Sequence, residues 1–181
     1  MRIIAGEWRA RRLVVPEGLR TRPTSDRARE GLFSMLVSRI GTFEGLQVAD
    51  LFAGSGALGL EALSRGAAHC LFLDKDRAAT DAIKANIAAL SGQERAEIRQ
   101  QAAEYAMPPR QPCDLILLDP PYAGDLAERV LALIASDDWL RPAALVSVES
   151  DKAELPLPDG LTRDAHRRFG RAHIHLLRRT A

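Results

Sequence analysis

The sequence predicts an α/β protein with a doubly wound, mostly parallel sheet. Two observations carry this prediction. Short apolar runs alternate with stretches whose apolar residues recur every three or four positions, which is typical of repeated strand–helix units. The run Asp114–Leu118 is almost continuously apolar, as expected of a strand that is buried on both faces of a parallel sheet. The 181 residues, 46% of them hydrophobic, suffice for one such domain.

The first predicted element is a basic β-hairpin, in which Arg2–Ile4 pairs with Arg12–Val15 across a turn that contains Gly6. A linker punctuated by proline and glycine follows the hairpin. We therefore expect a small N-terminal extension, residues 1–22, before the main domain, residues 23–181.

The main domain is predicted to begin with a helix and then to alternate strands and helices. Thr24 and Ser25 can cap a first helix whose apolar positions include Ala28, Leu32 and Ile40. The later predicted strands are Gln47–Phe52, Cys70–Leu73, Glu97–Gln101, Asp114–Leu118, Ala143–Glu149 and His173–Leu177, and the predicted helices between them are Ala57–Arg65, Arg77–Leu90 and Leu126–Ile134.

Charge is distributed unevenly along the chain, although the net charge is only +1. Residues 1–30 carry eight arginines and four acids, residues 161–181 carry six arginines and one acid, and the segment between them therefore has a net charge of −8. All of these terminal cations are arginines, which favours planar contacts with phosphate groups. The asymmetry indicates a polyanionic partner, and the alternative is that these arginines form ordinary solvated faces.

The composition excludes several classes of protein. The apolar runs are far shorter than the roughly 20 residues of a membrane helix, and the N-terminus lacks the apolar segment of a signal peptide. Cys70 and Cys113 cannot form a disulfide framework or a four-cysteine zinc site, and His173 and His175 lack a third metal ligand. We therefore expect a cytoplasmic protein with no metal and no membrane partner, and we also expect a monomer, although the sequence does not identify the oligomeric state.

A glycine-rich turn follows the first strand of the main domain. Gly54, Gly56 and Gly59 have the G-x-G-x-x-G spacing, which lets a ligand approach the backbone at a helix N-terminus. Asp74, at the tip of the next strand, could accept both hydroxyls of an adenosine ribose, as in sites for NAD, FAD or S-adenosylmethionine. Asp50 favours the last of these, because its carboxylate would repel a pyrophosphate and attract an ammonium and a sulfonium.

A second candidate site, Asp119-Pro120-Pro121-Tyr122, directly follows the apolar strand. Because ligands of open α/β sheets bind beyond the carboxyl ends of the strands, this loop and Asp50 should face one cleft. The two prolines remove backbone donors, so the loop offers acceptors only. Such a loop suits the amino group of a nucleobase or an amide, with Tyr122 against the ring. Hydrogen bonds to Asp119 and to the Pro120 carbonyl would aim the lone pair of that amine at a methyl group.

Together these motifs resemble those of Rossmann-fold, S-adenosylmethionine-dependent methyltransferases that act on amino groups. Nearly the whole chain is similar to the RsmD family of bacterial 16S ribosomal RNA guanine-N2 methyltransferases. The resemblance lies in four segments: RIIAGEWRARRL from Arg2, RPTSDRAREGLF from Arg22, DLFAGSGALGLEALSRGA from Asp50, and DPPY from Asp119. The segment from Arg22 is the most specific to the family, since the glycine turn and the Pro-Pro loop occur in many methyltransferases.

The resemblance implies a seven-stranded sheet, S-adenosylmethionine as methyl donor with S-adenosylhomocysteine as product, and a guanine of the small-subunit RNA as target. It also implies roles for individual residues. The methionine end of the cofactor is expected at Asp50, Gly54, Ser55 and Gly56, its carboxylate at Arg22 and Thr24, its ribose at Asp74, its adenine at Gln101 or the Ala102 N–H, and the reacting amine at Asp119, Pro120 and Tyr122. The chain departs from the family pattern at two of these positions, since Glu is common where it has Asp74 and Asn or Asp is usual near Gln101.

A base in folded RNA must be turned out of its helix before its amino group can enter such a pocket. The arginines expected to grip the flanking phosphates are Arg9, Arg11, Arg12 and Arg171, with Arg168 as a further candidate. Four alternatives remain: an N6-adenine DNA methyltransferase, a glutamine-amide methyltransferase of a protein substrate, a nicotinamide-dependent reductase that uses the glycine turn, and a non-catalytic RNA-binding protein of ribosome assembly.

Overall fold

The computed structural model describes residues 1–16, 24–122, 124–136 and 138–180. Within these residues, the helices are α1 (Thr24–Ile40), α2 (Ala57–Ser64), α3 (Arg77–Leu90) and α4 (Leu126–Ile134), and the strands are β1 (Gln47–Leu51), β2 (His69–Asp74), β3 (Ala96–Gln100), β4 (Cys113–Leu118), β5 (Leu140–Ser150), β6 (Leu161–Phe169) and β7 (Ala172–Arg179). No helix in the described ranges has the length and apolar character needed to cross a bilayer.

The seven strands form one sheet in the order β3-β2-β1-β4-β5-β7-β6. The first five strands in that order pair in parallel, whereas β7 runs antiparallel to both β5 and β6. The predicted fold class, an α/β protein with a doubly wound and mostly parallel sheet, is confirmed. The sheet is mixed, since its last two strands in the chain form an antiparallel hairpin. The sequence pattern does not predict β6, because this strand lies at the edge of the sheet and most of its side chains are exposed.

Helices cover both faces of the sheet, as a doubly wound fold requires. Along β4, Leu115 and Leu117 point to the face that packs against α1, α2 and α3. Ile116 and Leu118 point to the opposite face, where α4 packs. This alternation explains why β4 is an uninterrupted apolar run, since both of its faces are buried.

The first sixteen residues form an irregular hairpin, so the prediction of two regular strands is wrong. Among the described residues of this segment, β-type pairing is limited to one bridge between Arg2 and Arg12. The physical reason is that α2 takes two of the backbone donors. The N–H groups of Ile4 and Ala5 donate to the Glu61 carboxylate at 2.7 and 3.0 Å. The predicted boundary after residue 22 lies outside the described residues.

Two side chains of α2 hold this N-terminal segment in place. Glu61 is fully buried, and its carboxylate also accepts a hydrogen bond from Arg65 Nε at 2.8 Å. The Ser64 hydroxyl oxygen accepts the N–H of Trp8 at 3.0 Å. The approach is so close that a Cβ at Gly6 would lie 1.8 Å from the Ser64 carbonyl oxygen, and Gly6 has a φ of +86°. The segment can therefore pack on α2 only with glycine at this position.

We expect Glu61→Ala to destabilise the protein by about 3 kcal/mol, because it leaves two backbone donors and one guanidinium without their buried acceptor. Urea unfolding measures the free energy of unfolding. The exposed Glu94→Ala is the matched control, and a Glu61→Ala midpoint equal to that of the control would contradict the role assigned to Glu61.

Candidate active site

The structure brings the two predicted motifs to one edge of the sheet. β1 and β4 are parallel neighbours, and Leu51 lies opposite Leu118 in the register. The glycine turn follows β1 and the loop from Asp119 follows β4, so both leave the sheet at the same level. This carboxyl edge is where open α/β sheets bind their ligands.

The glycine turn reverses the chain tightly between β1 and α2. Gly54 and Gly56 have φ values of +56° and +80°, and Gly56 is the N-cap of α2. A Cβ at Gly59 would lie 2.4 Å from the ring of Phe72 and 2.7 Å from Cys70 Sγ. The first two glycines therefore permit left-handed backbone, and the third lets α2 pack closely on β2.

Asp50 is the buried charge of the site. Its side chain lies at the end of β1 and is only 1% exposed. One carboxylate oxygen, Oδ2, accepts the N–H of Gly59 at 2.9 Å, whereas Oδ1 is buried and has no hydrogen-bond partner among the described residues. Burial raises the pKa of Asp50 to about 7, the bond from Gly59 opposes that shift, and the charge of Asp74 adds to it. A cationic ligand at Oδ1 would relieve this cost of burial.

Asp74 ties the glycine turn to the end of β2. Its Oδ2 accepts the N–H of Gly54 at 2.8 Å, and its Oδ1 accepts the N–H of Asp76 at 2.9 Å. Each carboxylate oxygen has a second lone pair, so these two bonds leave acceptor capacity for ribose hydroxyls. Ser55, between the two glycines of the turn, lies beside Asn86, whose side-chain amide donates to the Ser55 carbonyl at 2.9 Å.

The predicted adenine contacts lie next to Asp74. The backbone N–H of Gln101 donates to the Asp74 carbonyl at 3.0 Å, which places the start of the loop after β3 at the same edge. The Gln101 side-chain amide donates to the Tyr105 carbonyl at 2.7 Å and is thereby held within its own loop. Ala102 follows directly, at the N-cap of a short 3-10 turn.

Two of the predicted cofactor residues lie wholly or partly outside the described part of the chain. Arg22 lies outside the described residues. Thr24 is the first residue of α1, and its side chain is also outside the described part of the chain.

The loop after β4 borders a shallow, open cleft, whose lining residues include Pro120, Pro121, Tyr122 and Glu149. Asp119 is exposed, and Pro120 is buried. The Tyr122 hydroxyl donates to Glu149 Oε1 at 2.6 Å, which fixes the orientation of its ring. Sequence reasoning missed Glu149, although its position at the end of a predicted strand was an available signal.

The C-terminal arginines lie at the same edge as this cleft. β7 starts beside the end of β5, since His173 pairs with Ser150. The turn that joins β6 to β7 is therefore at the carboxyl edge of the parallel strands. This turn carries Arg171, and Arg168 lies on β6 shortly before it; both side chains are exposed.

The N-terminal arginines are exposed as well, but they do not all lie near the cleft. Arg11 Nη2 donates to the Ala89 carbonyl at 2.6 Å, in the last turn of α3. Because α3 begins at the carboxyl edge and rises about 1.5 Å per residue, this contact lies roughly 18 Å from that edge. The structure therefore places Arg171 at the edge of the sheet that carries the cleft, and Arg11, with its exposed neighbours Arg9 and Arg12, on a separate surface.

The raised pKa of Asp50 predicts a specific dependence of stability on pH. The folded protein holds the Asp50 proton up to about pH 7, whereas an unfolded chain loses it near pH 4, so ionisation opposes folding increasingly as the pH rises from 4 to 7. Asp50→Asn cannot ionise. The free energy of unfolding of Asp50→Asn, relative to that of the wild type, should therefore increase by on the order of 2 kcal/mol between pH 5 and pH 8. The difference in melting temperature between the two proteins should increase by several degrees over the same range.

Thermal unfolding of both proteins at the two pH values measures this difference. The exposed Asp81→Asn provides the control and should show a constant difference from the wild type. An equally constant difference for Asp50→Asn would show that the Asp50 carboxyl is not buried at a cost.

The chain is similar to known proteins over most of its length. The family model described as Conserved hypothetical protein 95 matches residues 1–178. The chain is 43% identical over 156 residues to Ribosomal RNA small subunit methyltransferase D of Haemophilus influenzae, with 84% of this chain and 79% of that protein covered. It is 40% identical over 151 residues to the Escherichia coli K12 protein of the same name, with 83% and 75% covered.

Among solved structures, yhhF from Escherichia coli matches with a TM-score of 0.88 and 37% identity, over 100% of this chain and 98% of that one. The match therefore includes both the sheet and the N-terminal segment. On these findings the chain belongs to the Conserved hypothetical protein 95 family, and the resemblance to the RsmD methyltransferases is confirmed.

Proposed function

We propose that this protein transfers the methyl group of S-adenosylmethionine to the exocyclic N2 amine of a guanine in 16S ribosomal RNA of the small subunit. The observation that carries the proposal is that two features lie at one edge of the sheet: the buried Asp50 carboxylate, one oxygen of which has no partner among the described residues, and the Asp-Pro-Pro-Tyr loop, whose two prolines have no N–H donor. The relatives named Ribosomal RNA small subunit methyltransferase D, at 40% and 43% identity, support a ribosomal RNA substrate.

The residues present fit S-adenosylmethionine. The Asp50 Oδ1 atom needs a cationic partner, and the methionine end of this cofactor carries an ammonium and a sulfonium. The residues that would hold the cofactor are Asp50, Gly54, Ser55 and Gly56 at the methionine end, Arg22 and Thr24 at its carboxylate, Asp74 at the ribose, and Gln101 or Ala102 at the adenine. When bound, S-adenosylmethionine supplies a methyl group that its sulfonium activates for transfer.

The loop after β4 would bind and orient the amine. Asp119 and the Pro120 carbonyl accept its two N–H bonds, and this turns the nitrogen lone pair out of conjugation with the ring and towards the methyl carbon. Tyr122 packs against the base, held in orientation by its bond to Glu149. After transfer, the Asp119 carboxylate takes the proton that the amine must lose.

The arginines would bind the RNA on two surfaces. Arg171 and Arg168, at the edge that carries the cleft, contact phosphates next to the base that is turned out. The Arg11 side chain bonds to the last turn of α3, which lies at the opposite edge of the sheet from the cleft. Arg11 and its neighbours Arg9 and Arg12 would therefore contact phosphates farther along the folded RNA. Two separated contacts suit a folded RNA domain better than a short single strand.

Asp119→Asn should lower kcat for methyl transfer by at least about 100-fold, because a neutral amide holds the N–H group more weakly than a carboxylate does and takes no proton. The substrate is the small ribosomal subunit from cells that lack the enzyme, incubated with radiolabelled S-adenosylmethionine, and the modified base is mapped afterwards. Affinity for S-adenosylhomocysteine should change by less than about twofold.

The matched control is Asp125→Asn, a nearby exposed carboxylate that pairs with Arg129 on α4. It should retain wild-type transfer. Full activity of Asp119→Asn, or a methyl group mapped to adenine N6, would contradict the proposed function.

A further inference from the structure

Glu149 lies beside the Asp-Pro-Pro-Tyr loop, and the proposed function gives it only the role of orienting Tyr122. In the parallel register of β4 and β5, Leu118 lies opposite Val148. The next residues along the two chains, Asp119 and Glu149, are therefore level with each other at the ends of neighbouring strands, which are about 4.8 Å apart. The backbones of Asp119 and Glu149 are thus neighbours at the edge of the sheet where the Asp-Pro-Pro-Tyr loop begins.

The Glu149 carboxylate is held in one orientation by Tyr122. The tyrosine hydroxyl donates to Oε1 at 2.6 Å, and Glu149 is half-buried in the lining of the shallow cleft. A carboxylate has about four lone-pair sites, so this bond leaves Glu149 with acceptor capacity towards the cleft. The nearby ammonium of Lys152 pairs with Glu128 on α4 at 3.2 Å, so a local cation is already matched by another acid.

A fixed carboxylate can distinguish the nucleobases by the ring nitrogen that lies next to the amino group, since this nitrogen either carries a hydrogen or does not. In guanine the neighbour of the N2 amine on the Watson–Crick edge is the N1–H, which is a donor. In adenine and cytosine the corresponding ring nitrogen carries a lone pair and no hydrogen. A carboxylate in this position would bind guanine and repel the other two bases.

We propose that Glu149 is a specificity-determining residue, whose carboxylate accepts the N1–H of guanine while Asp119 and Pro120 hold the N2 amine. Tyr122 is the positioning residue, because its hydroxyl fixes the Glu149 carboxylate. This inference rests on the proposed function and deepens it, since it explains why a loop whose acceptors fit several amines would select guanine.

The test replaces the target guanine by 2-aminopurine, which keeps the exocyclic 2-amine and lacks the N1 hydrogen. Small subunits are reconstituted with 16S ribosomal RNA that carries either base at the mapped position, and kcat/KM is measured for each. The wild type should prefer guanine by about 10- to 100-fold, the value expected for a hydrogen bond to a charged group.

Glu149→Gln should lower this preference by about tenfold, because its amide can donate to the bare N1 of 2-aminopurine and can still accept the Tyr122 hydroxyl. Tyr122→Phe should also lower the preference for guanine, because it releases the Glu149 carboxylate. If Glu149→Gln is inactive, the preference of Tyr122→Phe tests the role of Glu149. The control is Glu154→Gln, a carboxylate that is 86% exposed and pairs with Arg163 outside the cleft; it should keep the wild-type ratio.

The outcomes separate this inference from the proposed function. A Glu149→Gln enzyme that keeps the wild-type preference for guanine over 2-aminopurine would overturn the role of Glu149 while leaving guanine methylation intact. A wild-type enzyme that modifies neither base at its amine would overturn the proposed function and, with it, this inference. Because the preference is a ratio within each variant, a partial loss of folded protein does not change it.

Discussion

The carboxylate of Asp50 is the constraint around which this site is built. It lies at the end of β1, almost completely buried, and one of its oxygens accepts the Gly59 N–H from the first turn of α2. That bond joins the strand to the helix across the glycine turn. The other oxygen is left without a partner among the described residues, and the pKa of the group is raised to about 7. A protein keeps such a cost of burial where a ligand relieves it.

The rest of the fold holds this turn from several sides. Asp74 at the end of β2 accepts the Gly54 N–H, so the turn is bonded to the neighbouring strand as well as to its own helix. The N-terminal segment covers α2, and the N–H groups of Ile4 and Ala5 in this segment donate to the buried Glu61 carboxylate of α2. The site is therefore rigid where it would meet the cofactor. On its other side, the Tyr122–Glu149 bond orders the loop that would meet the base.

The sequence predicted the interior of the protein better than its edges. The bounds predicted for α3 are those of the structure, because its apolar residues recur on one face, and β4 was evident from its apolar run. The edge strand β6 was missed, since an exposed strand has no apolar pattern. The prediction of two N-terminal strands is wrong, because the N–H groups of Ile4 and Ala5 donate to Glu61, which lies 57 residues after Ile4 in the sequence. Glu149 stood at the end of a predicted strand, but it was missed because its place beside Asp119 depends on the register of two strands.

The account depends on a cation meeting the Asp50 carboxylate, and the number of protons released on cofactor binding tests that claim most directly. Calorimetric titration of the protein with S-adenosylmethionine, in buffers of different ionisation enthalpy, measures this number. With a pKa of about 7, Asp50 is mostly protonated at pH 6 and must ionise to bind the cation. The account predicts that at pH 6 the wild type releases about one proton more than Asp50→Asn does, and that at pH 8 the two proteins differ by almost none, since the α-amino group of the ligand takes up the same part of a proton in both. Binding at pH 6 without proton release by the wild type would contradict it.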